Sequence, residues 1–350
     1  MKIAYLVPSL INKAPIIVVK ELVEGLVNKL DKVVVFYFDD IVELDFPCAT
    51  IKINQYSPYI ELFTEFDVIH AHMLRPNLYV AYFKNKIHGA VVATLHNYIY
   101  EDISSSHGKL IGIFTRYIWI RALKRFDIVV CLSNTMLEYY SKHISKSKLI
   151  YIYNGRSLTL NSCENKDADI VKIEKLRLSY KVIGGVGNMR KIKGFHQLIN
   201  LLVLNGELAL VLIGNGKAME ELVKMAKSMG VTERCIFLGY KRFSLPYFKY
   251  FDIYGMVSYS EGFPLVALEA AGAGIPLVCS DLPIFRELFN EEEACFFQLN
   301  DISSLNEAVS KALGNPVFYS ANVKSKFLNC YRVKLMCNNY LELYNSVKKR

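Results

Sequence analysis

Three hundred and fifty residues, 52% hydrophobic and 21% charged, with 23 Tyr and 20 Phe, exceed a usual single core. They exclude a disordered polyelectrolyte and a small stapled scaffold. Forty-two Lys and Arg against 33 Asp and Glu leave +9, which favours anionic partners (phosphates, acidic lipid head groups, nucleic acid) without choosing among them. The eight Cys, at 48, 131, 163, 235, 279, 295, 330 and 337, form no C-x-x-C and no Cys/His cluster at metal-ligand spacing. Structural zinc is not expected, and reduced thiols in the cytosol are. The opening MKIAYLVPSL reads as a first strand rather than a signal peptide. The most apolar stretch, 262–280, is broken by Glu269, Gly272, Gly274 and Pro276, short of the roughly 18 apolar residues of a spanning helix.

Apolar runs of strand length alternate with longer segments of helical period, the pattern of a parallel sheet covered by helices. In chain order, 2–7, 33–38, 67–71, 90–95, 127–132 and 149–153 read as strands, and 15–30, 76–87, 108–125 and 134–143 as helices. A polar stretch after Asn154-Gly155 reads as a linker. The pattern then restarts, with strands at 182–187, 208–213, 235–238, 252–257, 276–279 and 294–298, and helices near 195–204, 217–229, 264–273 and 303–313. The expected class is α/β, two Rossmann-like doubly wound domains facing across a cleft, residues 1–160 and 161–330. A C-terminal helix, 331–350, is expected to pack back on the first domain.

The most informative segment is YSEGFPLVALEAAGAGIPLVCSDLP, 259–283, a strand joined to a helix by a Gly-containing turn. Pro264 suits the first helical position, and the unpaired N–H groups beyond it form an anion site. Glu261 lies just before that helix and Glu269 inside it, up to about 12 Å apart at 1.5 Å per residue. That span suits a nucleotide sugar, with one carboxylate for sugar hydroxyls, the other for the ribose diol, and the diphosphate between them. Small and apolar neighbours put Glu269 on a largely buried helix. Upstream, VGNMRKIKGFHQLI places Arg190, Lys191 and Lys193 in a loop before a helix, where cations can neutralise a leaving diphosphate. LVLIGNGKAMEEL, containing Gly214, is equally a tight turn and a wall for a base.

Together these residues resemble the retaining glycosyltransferases of family 4 (glycosyl transferases group 1), which have the two-domain GT-B fold. The resemblance runs through VGNMRKIKG, LIGNG, CIFLGY and EGFPLVALEAAGAGIPLV, with weaker matches at DVIHAHM, VATLHNY, DIVVCLS and IYNG. It implies that Glu261 contacts the donor sugar, that Gly262, Phe263, Pro264 and Leu265 present backbone groups to sugar and phosphates, that Glu269 binds ribose, and that Lys193 holds the diphosphate. His96, in Thr94-Leu95-His96, matches a T-x-H motif whose histidine faces the donor sugar. Two positions depart from the family: Asn188 stands where many members carry Arg, so either Arg190 supplies the second cation from a slightly different position or the phosphate grip is weaker, and Ala14 replaces a glycine in PSLINKAP.

The resemblance implies a metal-independent retaining hexosyl transfer from a nucleotide-diphosphate sugar, a UDP-sugar, to a hydroxyl of a lipid-linked or glycan acceptor. The setting it implies is synthesis of bacterial capsule, O-antigen or lipopolysaccharide, in the cytoplasm or peripheral on the inner face of the membrane. No cofactor beyond the donor and no metal is expected. Asp167-Ala168-Asp169 resembles a D-x-D metal motif but follows no strand. Between Asp102 and Asp127 stand five cations and no acid (Lys109, Arg116, Arg121, Lys124, Arg125), interleaved with aromatics, so segment 103–126 is a candidate for an anionic bilayer. Nucleic acid has only charge in its favour. Two alternatives stay open: a nucleotide-sugar 2-epimerase of the same fold and a non-catalytic sugar-nucleotide sensor.

Overall fold

The computed structural model describes residues 1–158 and 168–348. The expected junction at 160/161, Cys163 and Asp167 lie outside the described residues. Two compact units emerge, Met1–Ser157 with Tyr331–Arg350, and Leu158–Cys330.

The first unit runs β1 (Lys2–Val7), α1 (Ala14–Leu26), β2 (Lys32–Tyr37), β3 (Ala49–Lys52), β4 (Val68–His72), α2 (Leu74–Phe83), β5 (Ala90–Leu95), α3 (Ile99–His107), α4 (Lys109–Leu123), β6 (Ile128–Cys131), α5 (Asn134–Ser141) and β7 (Leu149–Tyr151). Its seven strands form a parallel sheet in the order β3-β2-β1-β4-β5-β6-β7. Every residue of β4 and β5 is buried, as expected of central parallel strands covered on both faces.

The second unit runs α6 (Ala168–Arg177), β8 (Lys181–Val186), α7 (His196–Leu204), β9 (Leu208–Ile213), α8 (Met219–Ser228), β10 (Cys235–Phe237), α9 (Leu245–Phe248), β11 (Ile253–Met256), α10 (Leu265–Ala273), β12 (Leu277–Ser280), α11 (Pro283–Leu288), β13 (Ala294–Phe297), α12 (Ile302–Gly314) and α13 (Pro316–Cys330). Its six-stranded parallel sheet is ordered β10-β9-β8-β11-β12-β13. In both sheets the first strand is central and the order reverses beside it, between β1 and β4 and between β8 and β11. Ligands of open α/β sheets bind beyond the carboxyl ends of the strands at such reversals.

The last helix, α14 (Val333–Val347), belongs to the first unit and packs on α1. Met336, Cys337, Tyr340, Leu343 and Tyr344 form its buried face. Gly25 makes the seat possible, since a Cβ there would lie 2.4 Å from Cys337 Sγ.

Several elements differ from the sequence expectation. Strand β3 is not expected from the sequence, since all four of its residues are exposed and carry no burial pattern. Helix α3 was hidden by the polar EDISSSH and is divided from α4 by Gly108, at φ +91°. Pro264 is the residue preceding α10, with extended dihedrals, rather than its first helical residue; the helix starts at Leu265.

Candidate functional site

The carboxyl ends of β8 and β11 bring the two most informative sequence segments together. Beyond β8 the chain passes Gly187, exposed Asn188 and buried Met189 into a short 3-10 turn, Lys191–Lys193, which Arg190 precedes. Gly194 ends that turn at φ +68°, and a Cβ there would stand 2.0 Å from the carbonyl oxygen of Val257. Only glycine lets the turn approach the end of β11 so closely. Gln197 Nε2 donates to the same carbonyl at 2.9 Å, and Tyr259 N donates to Ile192 O at 2.8 Å. The two loops are thereby stitched together.

The stitching delivers Lys193 to Glu261. Lys193 Nζ lies 2.7 Å from Glu261 Oε1 and 2.9 Å from Oε2, while Ser258 Oγ donates to Oε1 at 2.6 Å. Ser258 is fixed in turn by Ser280 Oγ, which donates to its carbonyl at 2.7 Å. The carboxylate is 8% exposed and the lysine side chain 25%, so this is a largely desolvated, charge-assisted pair.

The other cations of the loop divide. Lys191 points to Glu221 at 3.0 Å, in an exposed pair. Arg190 is half-buried at the head of the turn, its N–H donating to Asn188 O at 2.8 Å. Asn188 and Gly214 belong to one turn assembly: Gly214, at φ +132°, donates to Gly239 O, and a Cβ on it would meet Gly187 O at 1.9 Å. Gly214 thus stands where the backbones of two loops meet. Asp169, the described half of the D-x-D look-alike, pairs with Lys172 and Lys241.

Gly262, Phe263, Pro264 and Leu265 are all buried where β11 turns into α10, and Glu269 is buried on that helix. Tyr254 connects this region to β8, its hydroxyl accepting from Val186 N at 3.1 Å and donating to Val186 O at 3.2 Å. Burial first, and then the nearby carboxylates of Glu269 and Glu261, hold this phenol well above its ordinary range. Sequence reasoning missed Ser258, Ser280, Gln197 and Tyr259, whose ring stacks on His196. Single Ser and Gln residues carry no spacing signal.

In the first unit, His96 follows β5 and is partly buried, its Nε2 2.9 Å from Nδ1 of His72 at the end of β4. His70 packs against His72 with ring centroids 4.2 Å apart and the rings tilted by 38°. It bonds Tyr344 Oη at 2.7 Å through Nδ1 and Thr94 Oγ1 at 2.8 Å through Nε2; Thr94 also meets Tyr340 Oη at 3.0 Å. Burial pushes His70 and His96 down to about 3 and His72 well below its ordinary range, so all three rings are neutral at pH 7. Among the described residues no group of three or more His, Cys, Asp or Glu is placed to hold a metal ion, and no helix is long and apolar enough to cross a membrane.

Residues 17–160 match the family described as "Glycosyltransferase Family 4" and residues 166–326 match "Glycosyl transferases group 1". The chain is 29% identical to the O-antigen biosynthesis glycosyltransferase WclY of Escherichia coli, over 99% of both chains. It is 23% identical to an E. coli UDP-Gal:alpha-D-GlcNAc-diphosphoundecaprenol alpha-1,3-galactosyltransferase, over 80% of this chain and 75% of that one. Among solved structures, Anabaena Alr3699/HepE in complex with UDP superposes with a TM-score of 0.82 at 18% identity, over 99% of this chain and 100% of that one. With its two doubly wound sheets and both family regions in order, the chain belongs to glycosyltransferase family 4 and has the GT-B fold.

Proposed function

We propose that the chain transfers a sugar, with retention of anomeric configuration, from a UDP-sugar to a hydroxyl of a lipid-linked or glycan acceptor during O-antigen synthesis. The observation that carries this reading is the Lys193–Glu261–Ser258 cluster beyond the carboxyl ends of β8 and β11. Lys193 and Arg190 take the negative charge that grows on the diphosphate as its bond to the anomeric carbon breaks. The acceptor oxygen forms its bond on the same face, and the departing phosphate oxygen accepts the acceptor's proton. Glu261 orients the sugar hydroxyls and Glu269 the ribose, while the start of α10 holds phosphate oxygens. These groups supply the charge stabilisation without a metal ion, so activity is expected to survive chelation. The UDP held by Alr3699/HepE and the UDP-Gal in the name of the galactosyltransferase relative support the choice of donor.

For the acceptor, helix α4 supports contact with an anionic bilayer. Leu110 (84% exposed), Phe114 (66%) and Tyr117 (60%) recur at helical spacing, with Ile111 and Ile113 also exposed. Arg116 and Arg121 flank them, lying over the rings of Tyr100 and Tyr117. These exposed apolar residues form an outward stripe with basic edges, the composition of an interfacial helix.

The test is a panel of UDP-sugars with undecaprenyl-diphosphate-linked glycans, UDP release being followed and the product's anomeric configuration read by NMR. An α-configured sugar from an α-linked donor supports the proposal. An inverted product contradicts retention, epimerisation of donor alone points to the 2-epimerase, and binding without turnover points to the sensor.

A further inference from the structure

We infer that His72 is a positioning residue which fixes the tautomer of His96, so that His96 offers an Nδ1–H donor to a substrate oxygen at the carboxyl end of β5. The inference rests on the proposed transferase reading for the identity of that oxygen, and on geometry for the rest.

Two neutral imidazoles joined at 2.9 Å share one proton between them. Either His72 Nδ1–H donates to His96 Nε2, or His96 Nε2–H donates to His72 Nδ1. In the second arrangement the proton of His72 must sit on its Nε2. That atom is buried and has no hydrogen-bond partner among the described residues, and His72 as a whole is 0% exposed. A buried N–H donor without an acceptor is the costlier defect, whereas the first arrangement leaves only an unused lone pair there. The first arrangement therefore holds. His96 accepts at Nε2, and its own proton resides on Nδ1, the nitrogen that His72 does not engage.

The remainder of the cluster keeps His72 in place. Its ring packs, tilted, against that of His70, and both nitrogens of His70 are bonded to hydroxyls of Tyr344 and Thr94. Because a hydroxyl both donates and accepts, His70 is satisfied in either tautomer and imposes no choice on its neighbour. Tyr344 and Tyr340 come from α14, so the C-terminal helix braces the relay that ends at His96. His72 touches no substrate in this scheme and acts only through His96.

The experiment uses the full chain with 15N-labelled histidine and reads tautomers from long-range imidazole couplings among its seven histidines. Wild type is expected to show Nδ1–H on both His72 and His96. In His72→Leu, His96 loses its bias and shifts toward Nε2–H, and kcat falls about 10- to 100-fold with KM little changed, the scale at which partners orienting a functional imidazole act. In His72→Asn, whose amide N–H replaces the donor at the Nδ1 position, both the tautomer and most of kcat return. Nε2–H on His96 of the wild type overturns the inference, as does a His72→Leu variant with unchanged tautomer or unchanged kcat. The predicted tautomers in a chain that transfers no sugar would contradict the transferase reading while leaving the relay standing.

Discussion

Lys193 and Glu261, 68 positions apart in sequence, form a two-pronged ion pair at 2.7 and 2.9 Å. The cation proposed for the diphosphate and the carboxylate proposed for the sugar thus hold one another in place. A nucleotide sugar that engages both has to share them, with the diphosphate drawing on Lys193 while hydroxyls replace part of its hold on Glu261.

One consequence is opposite effects on binding and turnover. Glu261→Gln frees Lys193 from its competing carboxylate, so UDP alone should bind up to about 10-fold more tightly, the equivalent of about 1.5 kcal/mol of charge-assisted hydrogen bonding. The same variant should turn over about 100-fold more slowly or worse. Calorimetry with UDP and a UDP-release assay check the two halves; weaker UDP binding together with intact turnover would remove Glu261 from the site.

Gly194 is the backbone condition for that pair. At φ +68°, with Val257 O 2.0 Å from where a Cβ would be, Gly194→Ala forces the 3-10 turn away from β11. The expected loss of stability is about 2 kcal/mol or more by urea unfolding, with kcat falling because Lys193 moves with the turn. A variant as stable and active as wild type would show that the close approach is dispensable.

Acid should unfold the protein partly through His70. Burial lowers its folded pKa from 6.5 to about 3, so the native state binds fewer protons than the unfolded chain. Its contribution is complete above pH 6.5 and is lost at about 1.4 kcal/mol per pH unit as pH falls toward 3. Unfolding free energy of His70→Asn between pH 6.5 and 4.5 should fall less steeply than that of wild type by about that slope; parallel curves would contradict the assignment.

The exposed stripe on α4 predicts sedimentation with vesicles containing acidic lipid, weakened by salt and by neutralising Arg116, Arg121, Lys124 and Arg125. Replacing Leu110 and Phe114 by Ser should weaken it independently of salt. No sedimentation of the wild type would end the membrane reading.

The sheets and the EGFPLVALE segment were legible because buried parallel strands and a strand–turn–helix junction write themselves into local pattern. What local pattern cannot carry was invisible. Strand β3 is wholly exposed, and α3 is mostly polar. The Lys193–Glu261 contact is tertiary, and so is its support by Ser258 and Ser280. VATLHNY marks His96, but only adjacency of β4 and β5, in a register that pairs His72 with Thr94, puts His72 against it. A C-terminal helix packing on the first domain is expected from the sequence; that two of its tyrosines bond His70 and Thr94 follows only from the fold.

Binding of UDP to wild type, Lys193→Ala and Lys191→Ala, measured by isothermal titration calorimetry in one buffer, tests the account most directly. Lys193→Ala is expected to weaken binding about 10-fold or more, and Lys191→Ala, whose side chain turns outward to Glu221, to stay within about twofold. Equal affinity of wild type and Lys193→Ala would contradict the placement of the diphosphate beyond β8.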